Sequence, residues 1–95
     1  SASLVGSEMC IETEPQAPVH VLVIPKEHIC CADAVNEENV GNIAHIFTKI
    51  PEITKSLGLT NGYRIVNNCG EDGCQSVKHM HFHILGGKKL NGTMA

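Results

Sequence analysis

The sequence predicts an α+β domain in which an antiparallel β-sheet carries one main amphipathic helix on its face. Histidine and apolar residues alternate over residues 79–85, which is the period of a β-strand. Residues 19–24 form a nearly continuous apolar run, rich in β-branched side chains and ended by Pro25. Between these segments, apolar residues recur at three- and four-residue intervals over residues 40–57, which is the period of a helix.

The N-terminal half divides at its prolines. Residues 1–7 are small and unpatterned, so we expect a disordered leader or a cloning remnant, followed by one domain over residues 8–91 and a tail over 92–95. Weak alternation over residues 8–13 predicts a short strand, and Pro15 and Pro18 predict the loop before the strand at 19–24.

The helix has recognisable ends. Asn36 is the predicted N-cap, because its side chain can accept a hydrogen bond from a free backbone N–H of the first turn. Gly58 is the predicted stop, and Pro51 is expected to kink the axis because it removes one hydrogen bond. After the helix we expect a strand over residues 63–68, a loop over 69–74 and the histidine strand, which ends at Gly86.

Composition limits the function. A net charge of −3 argues against a protein that grips nucleic acid through a basic surface, so an anionic substrate would be held by local donors. Lys78, Lys88 and Lys89 place positive charge near the histidine strand. The core is small and only 3% of residues are aromatic, so a partner subunit would add stability.

Cysteine usage indicates the compartment. The five cysteines are odd in number, two are adjacent, and no Cys-x-x-Cys pair is present. Reduced thiols in the cytoplasm fit this pattern best, with a nuclear fraction if the source is eukaryotic. We expect no metal, no cofactor, no signal peptide and no membrane span.

Three histidines on one strand face allow three readings. A metal could bridge neighbouring rings about 6.6 Å apart, but His79 and His83 would lie roughly 13 Å apart, so other ligands would be required. The histidines could also be solvated side chains on an exposed strand. In the favoured reading, one neutral imidazole is a nucleophile and the others set its tautomer and bind an anion.

Residues 79–85 (His-Met-His-Phe-His-Ile-Leu) resemble the signature of the histidine-triad (HIT) family. Residues 15–26, 70–76 and 86–87 are similar to further blocks of its Hint branch, the nucleoside phosphoramidases. The resemblance implies a HIT-like fold, here without the family's N-terminal helix and first strand. It also implies a purine nucleotide substrate and a homodimer joined along the strand at residues 63–68.

The resemblance implies roles for individual residues. His81 would attack the α-phosphorus and form a nucleotidyl-histidine intermediate, from which water releases a nucleoside 5′-monophosphate. The supporting histidines would be His20, His79 and His83. The remaining residues would contact the phosphate, the leaving amine or the ribose: Asn68, Gln75, Ser76 and Glu12.

Two positions depart from the family pattern: Glu12 stands where an aspartate is usual, and Cys74 stands where a glycine is expected. The tail also lacks the family's Trp-Pro-rich ending, which bears on the leaving group. The alternatives are a dinucleoside polyphosphate hydrolase, a nucleotide-binding scaffold with little turnover, and a zinc-binding structural protein.

Overall fold

A computed structural model describes residues 2–4, 7–11 and 15–94, with the side chains of residues 8–11 and 15–94. The elements in chain order are β1 (Ala2–Leu4), β2 (Ser7–Ile11), β3 (Val19–Pro25), a 3₁₀ turn (Ala32–Ala34), α1 (Val40–Ser56), β4 (Arg64–Val66) and β5 (Phe82–Gly86). The five strands form one sheet in the order β1-β2-β3-β5-β4, and each neighbouring pair is antiparallel. The predicted α+β class, an antiparallel sheet with one main helix, is confirmed.

Strand β1 lies inside the segment for which the sequence predicts a leader. It pairs with β2 and forms one edge of the sheet. A three-residue strand is too short to carry a periodic signal, so the alternation that indicates other strands is absent here. Ahead of β2, the described residues contain this strand and no helix.

The hydrophobic core lies between the helix and one face of β3 and β5. The register places Val21 opposite Ile84 and Val23 opposite Phe82, and all four side chains are buried. Helix α1 covers them with Ile46, Ile50 and Ile53, which recur at its own period. The alternation seen in the sequence therefore builds the core on one sheet face and leaves the intervening residues to the other.

The helix starts later than predicted. Its N-cap is Asn39, and the predicted cap, Asn36, lies in the preceding turn. There the Asn36 side chain accepts hydrogen bonds from the backbone N–H groups of Glu38 and Asn39, at 2.9 and 3.0 Å. Asn36 thus caps a turn that leads into the helix. An asparagine makes the same kind of side-chain hydrogen bond at a turn and at an N-cap, so the sequence does not distinguish the two positions.

The end of the helix is as predicted. Pro51 lies inside α1. Gly58 lies just beyond the end of the helix, and its backbone φ of +75° is a conformation that a glycine adopts without strain. No helix in the described part of the chain is long and apolar enough to cross a membrane.

The histidine segment is only partly a strand. Strand β5 begins at Phe82, so His79 and His81 precede the paired region, and the prediction of a strand over residues 79–85 is wrong at its start. Burial nevertheless alternates from His79 to Gly86, with the even-numbered residues buried. Strand β4 is likewise shorter than predicted, because Tyr63, Asn67 and Asn68 lie outside the pairing.

Replacing Ile46 by alanine should destabilise the protein strongly, because this fully buried helix residue packs into the core against β3 and β5. We expect a loss of about 3 kcal/mol in the free energy of unfolding, measured by urea denaturation. The control is Val40→Ala in the same helix, where the side chain is 46% exposed. Equal losses for the two variants would contradict this placement of the core.

Candidate active site

Two of the predicted histidines meet on the sheet face opposite the helix. His20 in β3 and His83 in β5 stand diagonally across adjacent strands, because His20 pairs with Leu85 and His83 pairs with Leu22. Diagonal neighbours lie within reach of ring side chains. His20 Nε2 is 2.8 Å from His83 Nδ1, and the ring centroids are 5.1 Å apart.

The direction of this hydrogen bond follows from the backbone. The N–H of Gln16 donates to His20 Nδ1 at 3.0 Å, so that nitrogen carries no proton. His20 is then a neutral ring with its proton on Nε2, and it donates to His83 Nδ1. Because His83 accepts at Nδ1, its own proton is on Nε2. One backbone amide thus sets the tautomers of two imidazoles in succession.

His81 is held in the opposite tautomer. Its Nδ1 lies 2.8 Å from the backbone oxygen of His79, and because a carbonyl only accepts, the ring must donate from Nδ1. The neutral ring then keeps an unshared electron pair on Nε2. A backbone carbonyl therefore fixes the position of the proton on the neutral His81 ring. The rings of His81 and His83 are close, with centroids 5.0 Å apart at an interplanar angle of 70°.

The segment that carries His81 lies outside the sheet ladder but is fastened on several sides. The Met80 N–H donates to the Ile29 oxygen at 2.7 Å, and the Asn67 side-chain amide donates to the His81 oxygen at 2.8 Å. The side chain of Met80 is buried in the core. These contacts replace the missing strand pairing, so the His81 backbone is positioned without belonging to β5.

The His79 ring does not join the group formed by His20, His81 and His83. Its Nε2 donates to the Pro25 oxygen at 2.9 Å, and its ring packs edge-on against His28 with centroids 5.1 Å apart. The ring therefore ties this segment to the end of β3. Its backbone oxygen, rather than its ring, serves His81.

Gln75 organises the loop before the histidine segment. Its side-chain oxygen accepts from the Gly70 N–H at 2.9 Å, while its side-chain nitrogen donates to the oxygens of Cys30 and Val77 at 2.7 and 3.0 Å. The Asn68 side chain donates to the Gly73 oxygen at 2.7 Å across the same loop. Asn68 and Gln75 therefore shape the loop.

Cys74 occupies a conformation that suits glycine. Its φ is +61°, and among the described non-glycine residues it is the one with a positive value. Its backbone N–H donates to the Glu71 oxygen at 3.0 Å, which fixes the turn. The departure from glycine noted in the sequence therefore falls where a side chain introduces backbone strain.

Two predicted site residues are not brought into this hydrogen-bonded group. Ser76 is exposed, in the stretch between Gln75 and the histidine segment. Glu12 lies outside the described residues. Among the residues that are described, no three histidine, cysteine or carboxylate side chains converge closely enough to hold a metal ion.

A cavity of about 510 Å³ opens beside His20 and His83. Its lining combines polar and positively charged side chains with apolar surface from the sheet and the tail. The lining residues are Gln16, His20, Arg64, Val66, Asn68, His83, Leu85, Lys88, Lys89, Leu90, Asn91 and Thr93.

Sequence reasoning misses the groups that act through the backbone. Gln16, Pro25 and Ile29 contribute an N–H or a carbonyl, which any residue type could supply. Asn67 does carry a signal, since it precedes Asn68 at the polar end of a predicted strand, but the pattern does not say which of the two faces His81.

Comparison with known proteins agrees with this geometry. The HIT domain model matches residues 6–90. An uncharacterized HIT-like protein of Rickettsia prowazekii is 48% identical over 82 residues, covering 84% of this chain and 68% of that protein. A histidine triad protein of Clostridium difficile superposes with a TM-score of 0.92 at 37% identity, covering 99% of this chain and 83% of the other. A HIT family hydrolase of Legionella pneumophila gives 0.91 at 33% identity, covering 97% and 83%.

Replacing Cys74 by glycine should raise the free energy of unfolding by about 1 kcal/mol, because glycine adopts a positive φ without a steric penalty. Cys74→Ala is the matched control and should leave stability nearly unchanged, since alanine retains the Cβ. Cys74→Val should lower it, because a β-branched residue fits this conformation worst. Urea denaturation of the three variants measures the order, and a glycine variant no more stable than the alanine variant would disprove the strain.

Proposed function

The chain belongs to the HIT domain family, and on that premise we propose that it is a hydrolase that releases purine nucleoside 5′-monophosphates from phosphoramidates. The observation that carries the proposal is the hydrogen bond from His81 Nδ1 to the His79 oxygen. It leaves the electron pair of Nε2 available for attack on phosphorus. The kinship with a HIT family hydrolase supports the assignment to hydrolases.

In the first step, the electron pair of His81 Nε2 forms a bond to the α-phosphorus. The P–N bond breaks, and its electron pair leaves with the amine nitrogen. That nitrogen takes a proton from the Ser76 hydroxyl, which recovers one from water. The imidazole bonded to phosphorus is positively charged, and the His79 carbonyl that accepts from Nδ1 stabilises that charge.

In the second step, a water oxygen attacks phosphorus on the side that the amine has left. The P–Nε2 bond breaks and its electron pair returns to His81, while the attacking water gives one proton to the hydroxide that the first step left behind. The products are the nucleoside monophosphate and the free amine, and the ring is again neutral with its proton on Nδ1. Two displacements with lower barriers replace a single direct attack by water.

The neighbouring groups bind and orient the phosphate in this proposal. His83 carries its proton on Nε2, a donor suited to a phosphate oxygen, and His20 keeps it in that tautomer. Asn68 and Gln75 hold the loop that precedes Ser76, and in this proposal the Ser76 hydroxyl reaches the phosphate and the leaving group. His79 supplies its carbonyl to His81, and Glu12 would contact the ribose hydroxyls.

We also propose a homodimer joined along β4. This strand is the other edge of the sheet, with β5 on one side and no strand on the other among the described residues. Tyr63, just before it, is a large apolar side chain with 39% exposure. A two-fold contact would cover the unpaired edge.

All five cysteines are free thiols, which supports the proposal of a reducing cytoplasmic compartment.

Substitution of His81 by asparagine should abolish AMP release from adenosine 5′-phosphoramidate. We expect a loss of roughly a thousandfold or more in kcat, because asparagine has no nucleophilic nitrogen at that position. His45→Asn is the matched control, since His45 lies on α1 and takes no part in the site. Acid-quenched wild-type protein should carry a nucleotide on His81, located by mass spectrometry. Release unaffected by His81→Asn would refute the mechanism.

Analytical sedimentation should give a particle of about twice the chain mass of 10.2 kDa at micromolar concentration. The physical reason is that a strand edge left unpaired exposes backbone donors and acceptors that a second copy can satisfy. A monomer under these conditions would exclude the dimer while leaving the hydrolytic proposal intact.

A further inference from the structure

We propose that Asn67 is a positioning residue, which holds His81 where its Nε2 can attack phosphorus. The proposal rests on the hydrolytic function proposed above and adds a group that acts on the first step through His81, without touching the substrate. Its basis is the hydrogen bond that the Asn67 side-chain amide donates to the His81 backbone oxygen, at 2.8 Å.

Asn67 lies at the point where strand pairing stops. The ladder between β4 and β5 ends with Val66 opposite His83. The same antiparallel register would place Asn68 opposite His81, but these two residues are not paired. Asn68 instead serves the loop that follows, where its side chain donates to a backbone oxygen at 2.7 Å. The side chain of Asn67 therefore supplies His81 with a donor from the β4 side, beyond the end of the ladder.

Two peptide units hold the main chain around the His81 ring. The first joins His79 to Met80, and its oxygen accepts from His81 Nδ1 at 2.8 Å. The N–H of the same unit donates to the Ile29 oxygen at 2.7 Å. The second unit follows His81, and its oxygen accepts from Asn67. Because this last bond comes from a side chain, a substitution of Asn67 removes it and leaves every backbone group in place.

The bond to Asn67 also fixes His81 relative to His83. Asn67 directly follows Val66, which pairs with His83, so one short stretch of chain contacts both histidines. Their ring centroids are 5.0 Å apart, and in the proposed reaction His83 binds the phosphate that His81 attacks. Attack requires the nitrogen and the phosphorus to lie within a narrow range of distance and direction. Loss of the Asn67 bond would leave phosphate binding intact and let Nε2 shift away from phosphorus.

The test measures AMP release from adenosine 5′-phosphoramidate by two variants of Asn67. Asn67→Leu removes the donor and keeps a side chain of similar size, whereas Asn67→Gln keeps an amide that can donate. The matched control is Asn39→Asp, which loses the hydrogen bond of 2.9 Å from the Asn39 amide to the Ala34 oxygen at the start of α1. Urea denaturation of every variant sets conditions under which all of them are folded.

In Asn67→Leu we expect kcat to fall about thirtyfold, because a small displacement of a reacting atom slows the chemical step strongly. KM should change by less than about twofold, since the bond acts on the transition state and not on substrate binding. Asn67→Gln should recover part of the lost rate, and Asn39→Asp should equal the wild type. In a single turnover quenched with acid, nucleotidyl-His81 should form more slowly in Asn67→Leu than in the wild type.

Three kinetic results would overturn the positioning role and leave the hydrolase in place. The first is an equal kcat in the wild type and Asn67→Leu. The second is a raised KM at unchanged kcat, which would assign Asn67 to substrate binding. The third is an equal loss in Asn67→Leu and Asn67→Gln, which would assign the residue to packing.

If the wild type releases no AMP, the hydrolase proposal fails, and NMR of the histidine ring nitrogens decides this inference. The chemical shifts of Nδ1 and Nε2 report which nitrogen carries the proton. The His81 signals are assigned by their absence in His81→Asn. Signals that move or broaden in Asn67→Leu, but not in Asn39→Asp, would support the positioning role, and any other pattern would overturn it.

Discussion

The hydrogen bond between His81 Nδ1 and the His79 carbonyl is the interaction on which the site depends. A neutral imidazole has two possible tautomers, and only one of them leaves the electron pair on Nε2. The fold settles the choice with a main-chain oxygen two residues away. That oxygen stays in place because His79 is itself anchored to Pro25 and because Met80 is bonded to Ile29.

A backbone group also fixes the tautomers of His20 and His83, but in these rings the proton lies on Nε2. The Gln16 amide proton points at His20 Nδ1, and this single donor forces the proton of His20 onto Nε2 and that of His83 onto Nε2 as well. An imidazole that donates from Nε2 therefore lies beside an imidazole that donates from Nδ1. Backbone groups rather than charged side chains fix both hydrogen-bond patterns.

Side-chain periodicity carries most of the information that the sequence offers about this fold. The alternation over residues 79–85 and the apolar run before Pro25 predict the two central strands, and their diagonal register makes the meeting of His20 and His83 foreseeable. The start of β5 and the cap of α1 are not predictable in the same way, since hydrogen bonds decide them. Asn36 has the chemistry of a cap but acts one turn earlier, and His81 lies just before the paired part of β5. Glu12 lies outside the described residues, and the role of the exposed Ser76 in the site remains a prediction.

The Gln75 side chain also joins two segments that are far apart in the chain. Its bonds to Gly70, Cys30 and Val77 bridge the loop before the histidines and the connector that leads from β3 toward the helix. Because one side-chain amide is bonded to both segments, the two segments must move together or a hydrogen bond must break. An insertion or deletion in the connector would therefore displace the loop. The length of one segment can change only if the other segment adjusts to it.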